Sequence, residues 1–324
     1  MSSGFTFERA LAYPFAAPHF NTFPWAFGAA YAASFMAVFT IIAVIGWPAL
    51  SGWVSAVATL STDPRPDQVA IILRNAVVSL LPVGLIGGVA TWVLWAMFET
   101  ASQRRYIWGK PFSLGFGADE ARIMVVGLLW GLIGLVIYAL PAFLIVGGLL
   151  GALRTYLQGA QDDTLPIGII GSSLVVSFLV LLLFPLYVFV ATRLAPCFGL
   201  TVKDGRIRFF EAWAVSRGRF WPILMAYVIL VLGGGVLFQI VQITAQLMMV
   251  PVFAGVISTE PETPAEVFAI LASPGFLVPL AIYMFVVLFV QGVIQHGVSA
   301  PAALAARNDP AGSVDDLGRI QAFH

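Results

Sequence analysis

The chain has 324 residues, 60% of them apolar, with 16 basic and 16 acidic side chains. A water-soluble domain carries about 25% charged residues, so 10% excludes an ordinary cytosolic enzyme, a disordered protein and a nucleic-acid binder, the last also for want of net positive charge. A lone cysteine, Cys197, excludes a disulfide framework and any cysteine-cluster metal site.

In chain order, the charge-free runs cover 10–62, 75–98, 123–153, 164–192, 220–259 and 267–306. A helix rises about 1.5 Å per residue, so ~20 apolar residues cross a ~30 Å hydrocarbon core. Every run is long enough. The excess in the two longest is rich in Pro, Gly, Gln or Ser, so each is read as one span. The predicted spans are 25–48, 72–98, 122–149, 167–192, 221–246 and 276–299. Barrel strands would be short and alternating, which these are not. The expected fold is all-α: a polytopic membrane bundle of six transmembrane helices in three hairpins. It forms a single domain over 1–306, with a short cytoplasmic tail at 307–324. The first 24 residues hold Glu8, Arg9 and three prolines. They lack the basic head and short apolar stretch of a signal peptide, so the first span is expected to direct insertion.

Loop charge sets the orientation. With both termini inside, the inner segments hold Arg9, Arg104, Arg105, Lys110, Arg122, Arg193, Lys203, Arg206, Arg208, Arg217, Arg219, Arg307 and Arg319. The outer segments hold only Arg65, Arg74 and Arg154, a bias of 13 to 3. Over short loops such a bias predicts that both termini are cytoplasmic. Asp63, Asp67, Asp162, Asp163, Glu260, Glu262 and Glu266 fall outside.

An internal repeat is expected at the inner face. The stretch from Phe112 to Ala121 contains Glu120, with Trp130 ten residues later; Ile207 to Trp213 contains Glu211, with Trp221 ten residues later. A looser copy runs from Phe5 to Ala10 around Glu8. Segments 5–22, 112–121 and 206–218 are therefore read as amphipathic elbow helices on the inner leaflet, each leading into an odd-numbered span. Glu8, Glu120 and Glu211 are candidate elbow caps, because a carboxylate is favoured near helix N-terminal amides.

The pattern Phe-x-Glu-Ala-Trp-x-x-x-Arg-Gly-x-Phe-Trp, Phe209 to Trp221 here, resembles segments of a broad bacterial family of six-helix membrane proteins. That family is similar to the membrane domain attached to some glycerophosphodiester phosphodiesterases. The motif match covers 206–222 and, less well, 111–130. The resemblance implies a fold more than an activity. The polar loops 99–121 and 193–219 are too short to fold a soluble catalytic domain.

Candidate chemistry is sparse. His19, His296 and His324 show no zinc-ligand spacing, and no nucleophile elbow or phosphate-binding loop occurs. No catalytic, cofactor or metal residue is expected. Arg206, Arg208, Arg217 and Arg219 are candidate contacts for anionic lipid headgroups. Gln239, Gln242 and Gln246 share one helix face, and Gln291 and Gln295 another, with His296 beside them. These are candidate polar contacts inside the membrane, and span depth puts the two groups in opposite leaflets. The glycine pairs Gly84/Gly88, Gly127/Gly131 and Gly147/Gly151 are expected to let helix backbones approach. Pro82, Pro141, Pro185 and Pro279 suggest kinks. The expected function is a non-enzymatic inner-membrane protein with a structural, lipid-interacting or complex-assembly role. The alternative is a transporter or channel for a neutral or lipidic solute. Membrane lipids are the expected partners, with a second copy or another membrane protein also open, and no nucleic acid.

Overall fold

The apolar runs become long helices, even where they hold a proline. The computed structural model describes residues 5–16, 22–58, 66–157, 164–258 and 263–314, with no strand among them. The helices are α1 (Phe7–Ala16), α2 (Phe23–Ala58), α3 (Pro66–Trp108), α4 (Ala118–Leu157), α5 (Thr164–Leu194), α6 (Cys197–Asp204), α7 (Ala212–Val215), α8 (Phe220–Ser258), α9 (Pro264–Leu271), α10 (Pro274–Val298) and α11 (Ala300–Arg307). Among the described residues, six helices are long and apolar enough to cross a membrane, and the molecule is an all-α, multi-pass membrane bundle.

The helices overrun the predicted spans. The 43 residues of α3 reach ~65 Å, twice the hydrocarbon thickness. Residues 99–108, read as loop from their charge, continue this helix. The reason is local: between Gly88 and Gly109 the sequence holds neither glycine nor proline, and the helix stops where Gly109 takes a left-handed φ of 65°. The Gly109 N–H then donates to the Arg105 carbonyl at 2.8 Å, closing the last turn. The four mid-span prolines all lie inside continuous helices.

The elbows differ from one another. The first segment carries the ten-residue helix α1. The third holds only the four-residue turn α7. In the second, residues 109–116 are non-helical until α4 begins at Ala118. Pro111, Gly115 and Gly117 disfavour a helix there. Phe112 anchors that stretch instead, edge-on to Phe23 at 5.5 Å between ring centroids. A helical elbow is thus not common to the three segments.

By its internal contacts the chain forms two compact units, one of residues 1–41, 87–127 and 192–324, the other of 42–86 and 128–191. In the first, aromatic side chains at four-residue spacing on α2, Phe23, Phe27, Tyr31 and Phe35, form a buried stripe with Phe98, Ala101 and Leu288. Smaller clusters join Ala10, Ala226 and Leu304, and Ala96, Ile123 and Val202. In the second, Tyr138 and Tyr187 meet at 5.5 Å, and Gly46 faces Val83.

Close helix approach uses glycines other than the predicted pairs. A Cβ on Gly84, Gly88, Gly131, Gly147 or Gly151 would meet nothing within 4 Å. Of those pairs only Gly127 is tight, with Trp95 2.6 Å from where its Cβ would stand. The close approaches are at Gly292 under Tyr31, Gly28 under Val293, Gly199 against Ala306 and Gly234 against Ile294, all at 2.7–2.8 Å. Four-residue spacing within one helix says nothing of the bulk that faces it from the next.

Candidate functional site

The C-terminal turns of α3 carry a buried polar cluster. Glu99, Ser102, Gln103 and Arg105 are each no more than 6% exposed, and His296 of α10 is 2% exposed. Helical spacing of three and four residues brings the α3 groups together. The Gln103 amide donates to Glu99 Oε1 at 2.7 Å. Ser299 Oγ donates to the other Glu99 oxygen at 3.2 Å.

His296 sits at the centre. Arg105 Nη1 lies 3.1 Å from its Nε2, and Ser102 Oγ lies 2.7 Å from its Nδ1. A guanidinium has donors only, so Nε2 must accept. The neutral ring then carries its proton on Nδ1, and Nδ1–H donates to Ser102. The imidazole lone pair that would deprotonate a serine is directed at Arg105 instead. Tyr106 closes the cluster: its ring stacks on His296 at 4.7 Å and 8°, and its hydroxyl donates to the His296 carbonyl at 3.0 Å. Tyr13 of α1 donates to the Tyr106 carbonyl at 2.6 Å. The Arg105 guanidinium stands 4.5 Å over the Phe23 ring, an attraction worth more when desolvated.

A second, ionic cluster ties the end of the chain to α6. Lys203 Nζ donates to Asp309 Oδ2 at 2.8 Å and to the Gly312 carbonyl at 2.9 Å. The two charged side chains are 2% and 3% exposed. Burial alone would raise the Asp309 carboxyl, but the hydrogen bonds from Lys203 and the Ala311 N–H outweigh it and hold the group below its ordinary value. The segment read as a tail is therefore docked at least through Gly312; residues 315–324 lie outside the described ones.

The predicted residues fare differently. Arg208 ion-pairs with Asp204, and approaches Glu211 at 3.7 Å and Asp309 at 3.9 Å. Its hydrogen bond to Asp204 raises its basicity. Arg219 is half-buried, donates to the Ala305 carbonyl at 3.2 Å and stands 5.4 Å over the Phe5 ring. Burial lowers its basicity. Arg206 and Arg217 are exposed. Two of the four candidate headgroup contacts are thus engaged in the protein's own structure.

Glu120 is 1% exposed, accepts from the Gly117 N–H at 2.8 Å and pairs with Arg104 at 2.7 Å. This is the reach of an N3 carboxylate back to the N-cap amide. Arg122 bonds Asp119 at 2.8 Å. Glu8 lies exposed in the first turn of α1. Glu211 makes no side-chain cap to α7 and meets Arg208 instead.

Of the glutamines, Gln239 falls at the middle of α8. Gly234 faces Ile294, and Phe253 meets Phe276 at 5.9 Å. This antiparallel register puts Gln239 and Gln291 within about two residues, or ~3 Å, of one level. Both are exposed, as is Gln246; Gln242 and Gln295 are half-buried.

Sequence reasoning missed Glu99, Ser102, Gln103, Arg105, Lys203 and Asp309. Reading 99–121 as a loop hid the helical spacing of the α3 group. The unbroken run up to Gly109 was the available signal. No residue cluster suited to a metal ion occurs among the described residues. No family model matches the chain, and neither a curated protein nor a solved structure matches it.

Proposed function

We propose that this chain is a non-enzymatic protein of a bacterial inner membrane with both termini cytoplasmic, serving a structural, lipid-binding or complex-assembly role. The observation that carries the reading is the Arg105–His296–Ser102 chain of hydrogen bonds. His296 is the one histidine among the described residues. Its ring is spent on holding α3 to α10, so the buried serine beside it is not activated. The basic inner loops support the orientation. The six-helix resemblance, which implies a fold more than an activity, is compatible with this role. A second reading, passage of a neutral or lipidic solute, draws on Gln239 and Gln291 at one level of α8 and α10.

The test uses the full chain in lipid nanodiscs. A fluorophosphonate serine probe should leave Ser102 unmodified, and a glycerophosphodiester should not turn over. An adduct on Ser102, or turnover abolished by Ser102→Ala or His296→Ala, overturns the reading. Flux of a small neutral solute into proteoliposomes, lost in Gln239→Leu, would favour transport.

A further inference from the structure

An apolar groove of about 420 Å³ opens in the first unit among the end of α1, the start of α2, the middle of α8 and the end of α10. Phe15 and Trp25 stand on its rim, each 61% exposed. Trp25 is held upright by stacking on Phe289, at 6.0 Å and 14°. Leu237 and Val293 form the flanks, and His296 reaches the groove from the polar cluster. Two glycines make the space: a Cβ on Gly233 or Gly297 would meet nothing within 4 Å. Between them Gly234 abuts Ile294, which closes the bottom.

We propose that this groove holds one hydrocarbon chain of a membrane phospholipid. The inference rests on the reading of the chain as an integral membrane protein and deepens it by naming the ligand. Three features select this occupant. Three of the four walls are membrane-spanning helices, so the medium that reaches the groove is lipid. The lining offers carbon surface and internally bonded helix backbone, so a polar ligand would lose its own hydrogen bonds on binding. An apolar hollow of this size left empty forfeits dispersion contacts along every wall. The volume falls within the ~300–1,000 Å³ of ordinary ligand sites.

Aromatic rims of this kind sit at the headgroup level. A chain seated here also covers His296, and so keeps water from its bonds to Ser102 and Arg105.

The experiment fills the groove with protein. Gly233→Phe and Gly297→Phe occupy open space, and Gly131→Phe does the same on α4, outside the groove. Each full-length variant is extracted from membranes, washed with delipidating detergent, given 1-palmitoyl-2-oleoyl phosphatidylglycerol and weighed by native mass spectrometry. Wild type and Gly131→Phe should carry one phospholipid per chain, and the two groove variants at least tenfold less. The groove variants should also keep their melting temperature on delipidation, while wild type loses several degrees and recovers with lipid. Equal lipid on all four proteins overturns the proposal. So does wild type that retains none, or a wild-type dimer lost in Gly233→Phe, which would make a second copy the occupant. A groove variant that fails to fold is replaced by the other; misfolding of both while Gly131→Phe folds overturns the claim that the groove is open space. Wild type recovered from the soluble fraction would sink the membrane reading itself, a result separate from lipid-free protein extracted by detergent.

Discussion

The two compact units expose apolar residues alike and differ in what they bury. In the unit of 42–86 and 128–191, Val136, Phe143 and Leu181 are 78%, 73% and 70% exposed. In the other, Arg105, Tyr106 and Phe27 are 0% exposed. The second of these also shows apolar residues to the surroundings, Met248 at 72% among them, but in addition it closes aromatic rings and charges on one another. The difference follows from the medium. Where hydrocarbon is the solvent, exposing leucine costs nothing, and packing alone holds helices together. Where helices overrun the hydrocarbon, water is available, and a core with satisfied polar groups becomes worth building.

The largest expected effect breaks the more specified unit. Lys203→Met leaves Asp309 buried without its ammonium partner. Such losses cost about 3–5 kcal/mol, and the lower end applies, because Arg208 remains 3.9 Å away. Denaturant unfolding in detergent micelles measures it, and Lys203→Met with Asp309→Leu should recover much of the loss. Acidification should act on the same pair. The folded Asp309 carboxyl lies below its ordinary value, so its contribution is complete above the unfolded value of about 3.9 and is lost as pH falls through the lower folded value. Stability below about pH 4 should therefore fall more steeply in wild type than in Asp309→Asn.

Packing should separate the units next. A Cβ at Gly292 would stand 2.8 Å from the Tyr31 Cβ, so Gly292→Ala should destabilise by about 1–3 kcal/mol. Gly131→Ala meets nothing and should be neutral or stabilising by about 0.5–1 kcal/mol through helix propensity. Parallel melting curves give the contrast, and equal effects would erase the distinction drawn between the units. Ser102→Ala removes the acceptor from His296 Nδ1–H and should cost about 1–3 kcal/mol. The smallest effect belongs to Val136→Ala, at a position 78% exposed, which should stay within about 0.5 kcal/mol.

The sequence made the spanning helices of both units legible and concealed the buried polar clusters. Charge-free runs identify six spanning helices because charge is what hydrocarbon excludes. The same rule misread Glu99 to Trp108, where charge marks a helix leaving the membrane and not a loop. His296 was visible as a polar residue at a span end. Its partners Ser102 and Arg105 are more than 190 positions away in sequence, and no local pattern joins them. The glycines show the same limit: Gly292 matters because Tyr31 faces it, and that is a fact of tertiary structure.

The proposed place of the protein in the membrane turns on its orientation, and thiol labelling tests that most directly. Ser113 and Ser258 are both exposed, and Cys197 is buried. In a Cys197→Ala background, Ser258→Cys in intact cells should react with a membrane-impermeant maleimide. Ser113→Cys should react only after the membrane is opened. Labelling of Ser113→Cys in intact cells, with Ser258→Cys protected, would place the arginine-rich loops outside and contradict the account.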